Sequence, residues 1–324
     1  MPGRIDVHHH FLPPEYALAW KNSGQIPPGL HLPPWNVEGT ISFLDRNDIQ
    51  LAMISLSAPG LDIASSPEEA RSLARKCNEI AAGIRDAHPE RFGFFATLPL
   101  DDVASGLDEL SYALDVLKAD GVTLFTSYKG KYLGNADFKP LWKELDQRAA
   151  VVFVHPASPG KPSTAQDHIL PPPLIDFPHE TTKTAVHLIT SNTVRDHPNC
   201  KIILSHGGGT LPYIVTRIAN AAADAGLLAG KTADEVLSEA KKFYFDLALT
   251  SYTDPITLLS SFAAEDHILW GSDYPFARDK TVKSQTEDFK SLQMKPAAKE
   301  SMTYRAALKL FPRLGHLSCF QRTD

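Results

Sequence analysis

Eight short runs rich in Val, Ile, Leu and Phe, separated by longer stretches of helical periodicity, constrain this chain more than any other feature. They are RIDVHHH (4–10), IQLAMISLS (49–57), RFGFFATLP (91–99), GVTLFTS (121–127), VVFVHP (151–156), KIILSHG (201–207), FYFDLALT (243–250) and HILWGSDYP (267–275). Near-continuous apolar strands alternating with helices are the pattern of repeated βα units around a parallel sheet. Eight such units predict a closed α/β barrel of the (β/α)8 TIM type, with an open doubly wound sheet as the main alternative. A barrel of this kind takes roughly 250 residues as one domain, so residues 1–324 are read as a single domain.

Between the strands, PEEARSLARKCNEIAAGIRDAHP (67–89) is the clearest helix. It opens on Pro and acidic residues and closes on His and Pro, as the helix dipole and boundary preferences require. Two gaps differ. Residues 11–36 carry repeated Pro and Gly, and residues 157–178 run from SPGKPST to PPPLIDFP. Both read as loops leaving the C-terminal end of a strand, and loops of that length predict lids over a site.

A net charge of −6 provides no basic field for nucleic acid or an anionic membrane surface. Cys77, Cys200 and Cys319 are far apart and form no C-x-x-C pair, so no disulfide framework or cysteine zinc site is expected. The N-terminal segment MPGRIDVHHHFLPP lacks the apolar region of a secretion signal, and no later segment approaches the length of a membrane span. The expected location is the cytosol. His8, His9 and His10 lie within an apolar-flanked strand pattern, which argues against a tag remnant.

Residues two apart in a strand face the same side, so His8 and His10 project together while His9 points away. His155, His206 and Asp273 also fall at the C-terminal tips of predicted strands, where barrels of this type carry their catalytic groups. Any one of these histidines is accounted for by a hydrogen bond to a backbone carbonyl. Four histidines and an aspartate converging from four strands are a poor use of polar groups unless they bind or react. Imidazoles with a carboxylate suit one borderline divalent cation such as Zn2+, Mn2+ or Fe2+. His9, His31, His88, His168, His179, His187, His197, His267 and His316 lack this placement and are read as structural or surface residues, with His179 the least secure exclusion.

The HGGG run at 206–209 admits a second reading as a phosphate-cradling loop. It lacks both the Lys-Ser/Thr of a P-loop and the dinucleotide spacing, so flexible backbone beside a functional histidine is the better account. Ser272 in GSDYP lacks the G-x-S-x-G frame of a nucleophile elbow.

Taken in order, D-x-H-x-H at Asp6 to His10, VHP at 154–156, HGGGTLPYIVTRI at 206–218 and GSDYP at 271–275 resemble the amidohydrolase superfamily. Within it they resemble the branch containing aminocarboxymuconate semialdehyde decarboxylase and related aromatic-acid decarboxylases. HGGG with Pro212, Tyr213 and Arg217, together with chain length, is especially similar to the fungal 6-methylsalicylate decarboxylases. The resemblance covers most of the chain. It implies that His8, His10, His155 and Asp273 ligate a single metal ion, Zn2+ or Mn2+, and that His206 stays unligated as an acid/base or polarising group. It also implies that Arg217 binds the substrate carboxylate, entering from a neighbouring subunit of a homodimer or larger homo-oligomer.

The implied reaction is non-oxidative loss of CO2 from a small aromatic hydroxy acid, with 6-methylsalicylate giving 3-methylphenol. Asp273 is the candidate proton donor, with His206 polarising the phenol or setting the protonation of the aspartate; the reverse assignment, and initial attack by metal-bound hydroxide with His206 as base, are left open. Phe11, Trp35, Phe177, Tyr274 and Phe276 flank the predicted tips or lids, where they either line an aromatic pocket or simply pack. Two departures from the family stand out. Arg305 occupies the Asn position of a late N-A-x-x-L-F segment, and GVTLFTS holds no lysine to bridge two metals, although Lys129 and Lys131 follow it. The rival readings are a metal-dependent lactone or amide hydrolase and a non-catalytic binding protein.

Overall fold

The computed structural model describes residues 3–26, 31–157, 170–228 and 230–321. Eight parallel strands surround a common axis: β1 (Arg4–His10), β2 (Ile49–Ser55), β3 (Phe92–Thr97), β4 (Gly121–Phe125), β7 (Val151–His155), β8 (Lys201–Leu204), β9 (Tyr244–Asp246) and β10 (Ile268–Leu269). A two-stranded antiparallel hairpin, β5 (Ser127–Tyr128) and β6 (Lys131–Tyr132), follows β4. The barrel strands are ordered β1-β2-β3-β4-β7-β8-β9-β10. Backbone bonds bring the two ends together: Val7 N–H donates to the Trp270 carbonyl at 2.9 Å, and His10 N–H to the Tyr274 carbonyl at 2.7 Å. The barrel is closed, and the doubly wound alternative is excluded.

All eight predicted strands are present, but the last two are short. Leu249 and Asp273 take left-handed backbone angles, with φ of 57° and 62°, and such residues cannot continue an extended ladder. The predicted helix spans Pro67–Ala87, with the Ser66 side chain accepting from Glu69 N–H at its start.

Both predicted loops contain helix. Residues Pro14–Asn22 form a helix with Pro at its first turn and Tyr16 and Trp20 buried one turn apart. In the second gap, residues 158–169 lie outside the described residues, and a helix Pro172–Thr190 begins before the predicted loop ends. Pro is compatible with a first helical turn because the N–H it lacks has no intrahelical partner there.

Inside the barrel, Ile5, Val7, Leu51, Met53, Phe95, Phe153, Ile203 and Leu269 form one apolar cluster with Phe311 and Leu314 of the C-terminal segment. That segment closes the base, where each fully buried large apolar side chain contributes roughly 1.5–3 kcal/mol. Arg305 lies on its outer side, ion-paired with Glu300 at 2.6 Å. A second, larger cluster joins the outer strand faces to the surrounding helices. Polar strand-end groups are thereby left to the opposite, C-terminal mouth.

A candidate metal centre at the barrel mouth

On β1, three residue steps from Asp6 to His9 pair with two steps from Ala52 to Ile54 on β2, so β1 carries a bulge of one residue. Bulges re-aim side chains beside functional sites. Here Ile5 and Val7 join the interior cluster, and beyond the bulge His8 and His10 turn toward one another, with their Nε2 atoms 3.1 Å apart. Asp6 and His9 face the other way. The buried Asp6 carboxylate meets His9 Nδ1 at 2.9 Å and accepts from the Ser272 N–H at 3.0 Å, pinning the GSDYP segment to β1.

His8, His10, His155 and Asp273 each offer a ligand atom within 4.8 Å of all the others, and all four are buried. Asp273 Oδ1 lies 3.3 Å from His8 Nε2 and 3.2 Å from His10 Nε2. The remaining imidazole nitrogens are held from behind. His10 Nδ1 is 3.3 Å from the Ser55 carbonyl, and His155 Nδ1 is 2.8 Å from that of Pro156. His8 Nδ1 meets Asp246 Oδ2 at 2.9 Å.

These contacts set the charge states. Burial opposes charge on His8, but Asp246 and then Asp273 outweigh it and raise its pKa to about 10. Burial lowers His10, and with the neighbouring imidazoles it pushes His155 well below the usual histidine range. Asp273 is also buried, yet the surrounding imidazoles hold it well below the usual carboxylate range. Two neutral imidazoles, His8 once its extra proton has left, and an ionised carboxylate, all buried and oriented from behind, form a donor set that fits a single divalent cation.

His206 stands at the rim, its Nε2 3.9 Å from Asp273 Oδ2, with a left-handed φ of 54°. It and Asp273 are non-glycine residues in an uncommon conformation side by side, as found at functional sites. The glycines that follow His206 have a steric reason: a Cβ at Gly209 would collide with the Pro178 carbonyl, and one at Gly208 would press on Phe245.

Asp246 was not among the residues singled out from the sequence. Its Oδ1 accepts from the backbone N–H of His206 at 3.0 Å and of Ala248 at 2.9 Å, so one carboxylate braces both His8 and the His206 turn. The signal was an acidic residue inside the apolar run FYFDLALT, which must be buried and paired. Phe125 at the end of β4 was missed too; its ring centroid is 5.9 Å from that of His155.

Of the aromatic candidates, Phe276 and Phe177 flank the cluster, with centroids 5.5 Å from His10 and 6.1 Å from His155. Tyr274 instead stacks on Phe43 at 4.0 Å, and Phe11 packs edge-on against Trp35. Arg217 is exposed on the helix Leu211–Asp224 and has no ion pair among the described residues. β4 contains no lysine, while Lys129 and Lys131 pair with Asp101 and Asp137. His179 is exposed. Among the described residues, no helix is long and apolar enough to cross a membrane.

The chain is 45% identical to "Decarboxylase macB" of Penicillium terrestre, covering 96% of this chain and 95% of that one. It is 44% identical to "6-methylsalicylic acid decarboxylase" of Penicillium expansum, covering 96% and 97%. A crystal structure described as an amidohydrolase II superposes with a TM-score of 0.89 at 28% identity, covering 95% and 99%. The family model described as Amidohydrolase matches residues 5–313, from β1 with its paired histidines to the segment that closes the barrel base, and the chain belongs to that family.

Proposed function

We propose that this protein is a metal-dependent carboxy-lyase that removes CO2 without oxidation from a small aromatic hydroxy acid, its reaction being 6-methylsalicylate to 3-methylphenol. The observation that carries this reading is the placement of Asp273, within 3.3 Å of two imidazoles of the candidate metal centre and facing His206 across 3.9 Å. Near-full-length identity of 44–45% to decarboxylases supports it.

In this reading His8, His10, His155 and Asp273 hold one Zn2+ or Mn2+ ion. Bound there, the cation would supply Lewis acidity and would offset the negative charge of the substrate. The protein's own groups do the rest. Phe177 and Phe276 flank the ring. Direct cleavage would leave an aryl carbanion, so the carboxyl-bearing carbon must be protonated first. Asp273 is ionised in the free protein, so the proton it delivers arrives with the substrate, from the phenol. His206 polarises the phenolic oxygen. Once the carbon is protonated, the C–C bond breaks, its electron pair returns to the ring and CO2 leaves. Solvent then restores the phenolic proton.

Arg217 pairs with the substrate carboxylate of a neighbouring subunit in a homodimer. Its exposure without an ion pair among the described residues supports this, as does Tyr213, 79% exposed one turn earlier on the same helix. The whole chain acts as one barrel domain with lids over the mouth, and the cytosol is its proposed location.

The test is a panel of hydroxybenzoates and lactones given to purified protein. One CO2 per phenol released from 6-methylsalicylate supports the reading; lactone hydrolysis without CO2 release overturns it.

A further inference from the structure

His206 presents Nε2 toward Asp273, and its other ring nitrogen, Nδ1, is buried with no hydrogen-bond partner among the described residues. The hydroxyl of Thr250 is buried and unpartnered in the same way. Both residues line one cavity of about 60 Å3, with Gly207 and Tyr213. A Cβ at Gly207 would come within 3.3 Å of the Thr250 hydroxyl, so the glycine leaves this side of the cavity open. Two orphaned polar atoms on residues that line one small cavity are costly unless they are bridged, and a cavity of this size has room for a water.

We infer that Thr250 is a positioning residue for His206, acting through a water in this cavity. The Thr250 hydroxyl donates to the water, and the water donates to His206 Nδ1. That direction leaves the proton of the neutral ring on Nε2, where it faces Asp273 and the substrate. Thr250 thereby fixes both the tautomer and the rotation of the imidazole without touching the substrate.

The inference rests on the decarboxylase reading, but its test separates the two. On zinc-loaded protein, ring 15N chemical shifts, assigned by the signal lost in His206→Asn, report the tautomer without turnover. Wild type is expected to hold the Nε2–H form. Thr250→Val, which keeps the shape and removes the hydroxyl, is expected to mix the tautomers and lower kcat about tenfold, the size of one lost hydrogen bond, with KM and metal content held. Thr250→Ser restores both readouts. An Nδ1–H ring in wild type, an unchanged tautomer in Thr250→Val, or a serine variant as impaired as the valine overturns the inference. Wild-type protein that releases no CO2 from any hydroxybenzoate overturns the decarboxylase reading instead and leaves the tautomer result standing.

Discussion

Asp246 and His8, 238 residues apart in sequence, meet at 2.9 Å on the side of the imidazole away from Asp273. The carboxylate holds a proton on His8 Nδ1, so that Nε2 becomes a donor atom once the extra proton of the imidazolium has left. Its other oxygen takes the N–H of His206, so the candidate ligand set and the candidate acid/base residue share one support.

Replacing Asp246 by Asn puts an amide N–H where His8 Nδ1 needs an acceptor, or else turns that N–H toward two backbone donors. Metal affinity is expected to fall about 10- to 100-fold. Competition with a chelator of known affinity measures it, and an unchanged affinity would count against the support role.

The charge states predict how metal uptake depends on pH. His8, raised to about 10, carries an extra proton at neutral pH in the metal-free protein, while His10 and His155 are neutral and Asp273 is ionised. Metal can bind His8 only after that proton leaves. Affinity therefore rises with pH up to about 10, with one proton released per ion bound. Calorimetry in buffers of different ionisation enthalpy counts the protons; none or several would contradict the assignment.

The paired histidines of β1 and the strand-tip positions of His155, His206 and Asp273 were legible because period-two alternation and barrel topology leave little freedom for them. The β1 bulge was not, since RIDVHHH contains no glycine or proline to mark a break in the strand. Asp246 was hidden for a related reason: its partner lies on another strand, and nothing local in FYFDLALT names it. The helix Pro14–Asn22 was read as loop because its prolines outweighed its pattern, yet Glu15 in the first turn and the Tyr16–Trp20 spacing were helix signals.

Asp273→Asn removes the proposed proton carrier. Decarboxylation is expected to drop by roughly 10²–10⁴-fold. Measuring phenol release and ring deuterium from heavy water, with metal content checked in parallel, tests this. Normal rate and normal isotope incorporation would remove Asp273 from the proton-transfer role.

Arg217→Ala is expected to lower kcat/KM roughly 10- to 100-fold, chiefly through KM, by removing a charged hydrogen bond to the carboxylate. If the arginine crosses between subunits, mixed dimers of Arg217→Ala and Asp273→Asn chains regain activity that neither variant has alone. Failure of complementation in proven mixed dimers would confine Arg217 to its own chain.

Gly209→Ala tests the steric account of the glycine run. A methyl group would meet the Pro178 carbonyl at a backbone φ of 64°. A loss of roughly 2–4 kcal/mol is expected from denaturant unfolding. A stability equal to wild type would return these glycines to some other role.

The most direct test of the central claim is phenol and CO2 formation from 6-methylsalicylate by protein stripped of metal and then reloaded with Mn2+ or Zn2+. The account predicts no turnover after stripping and recovery on reloading, with one 3-methylphenol per CO2. Full activity in the stripped protein, or none with either ion restored at His8, His10, His155 and Asp273, would contradict it.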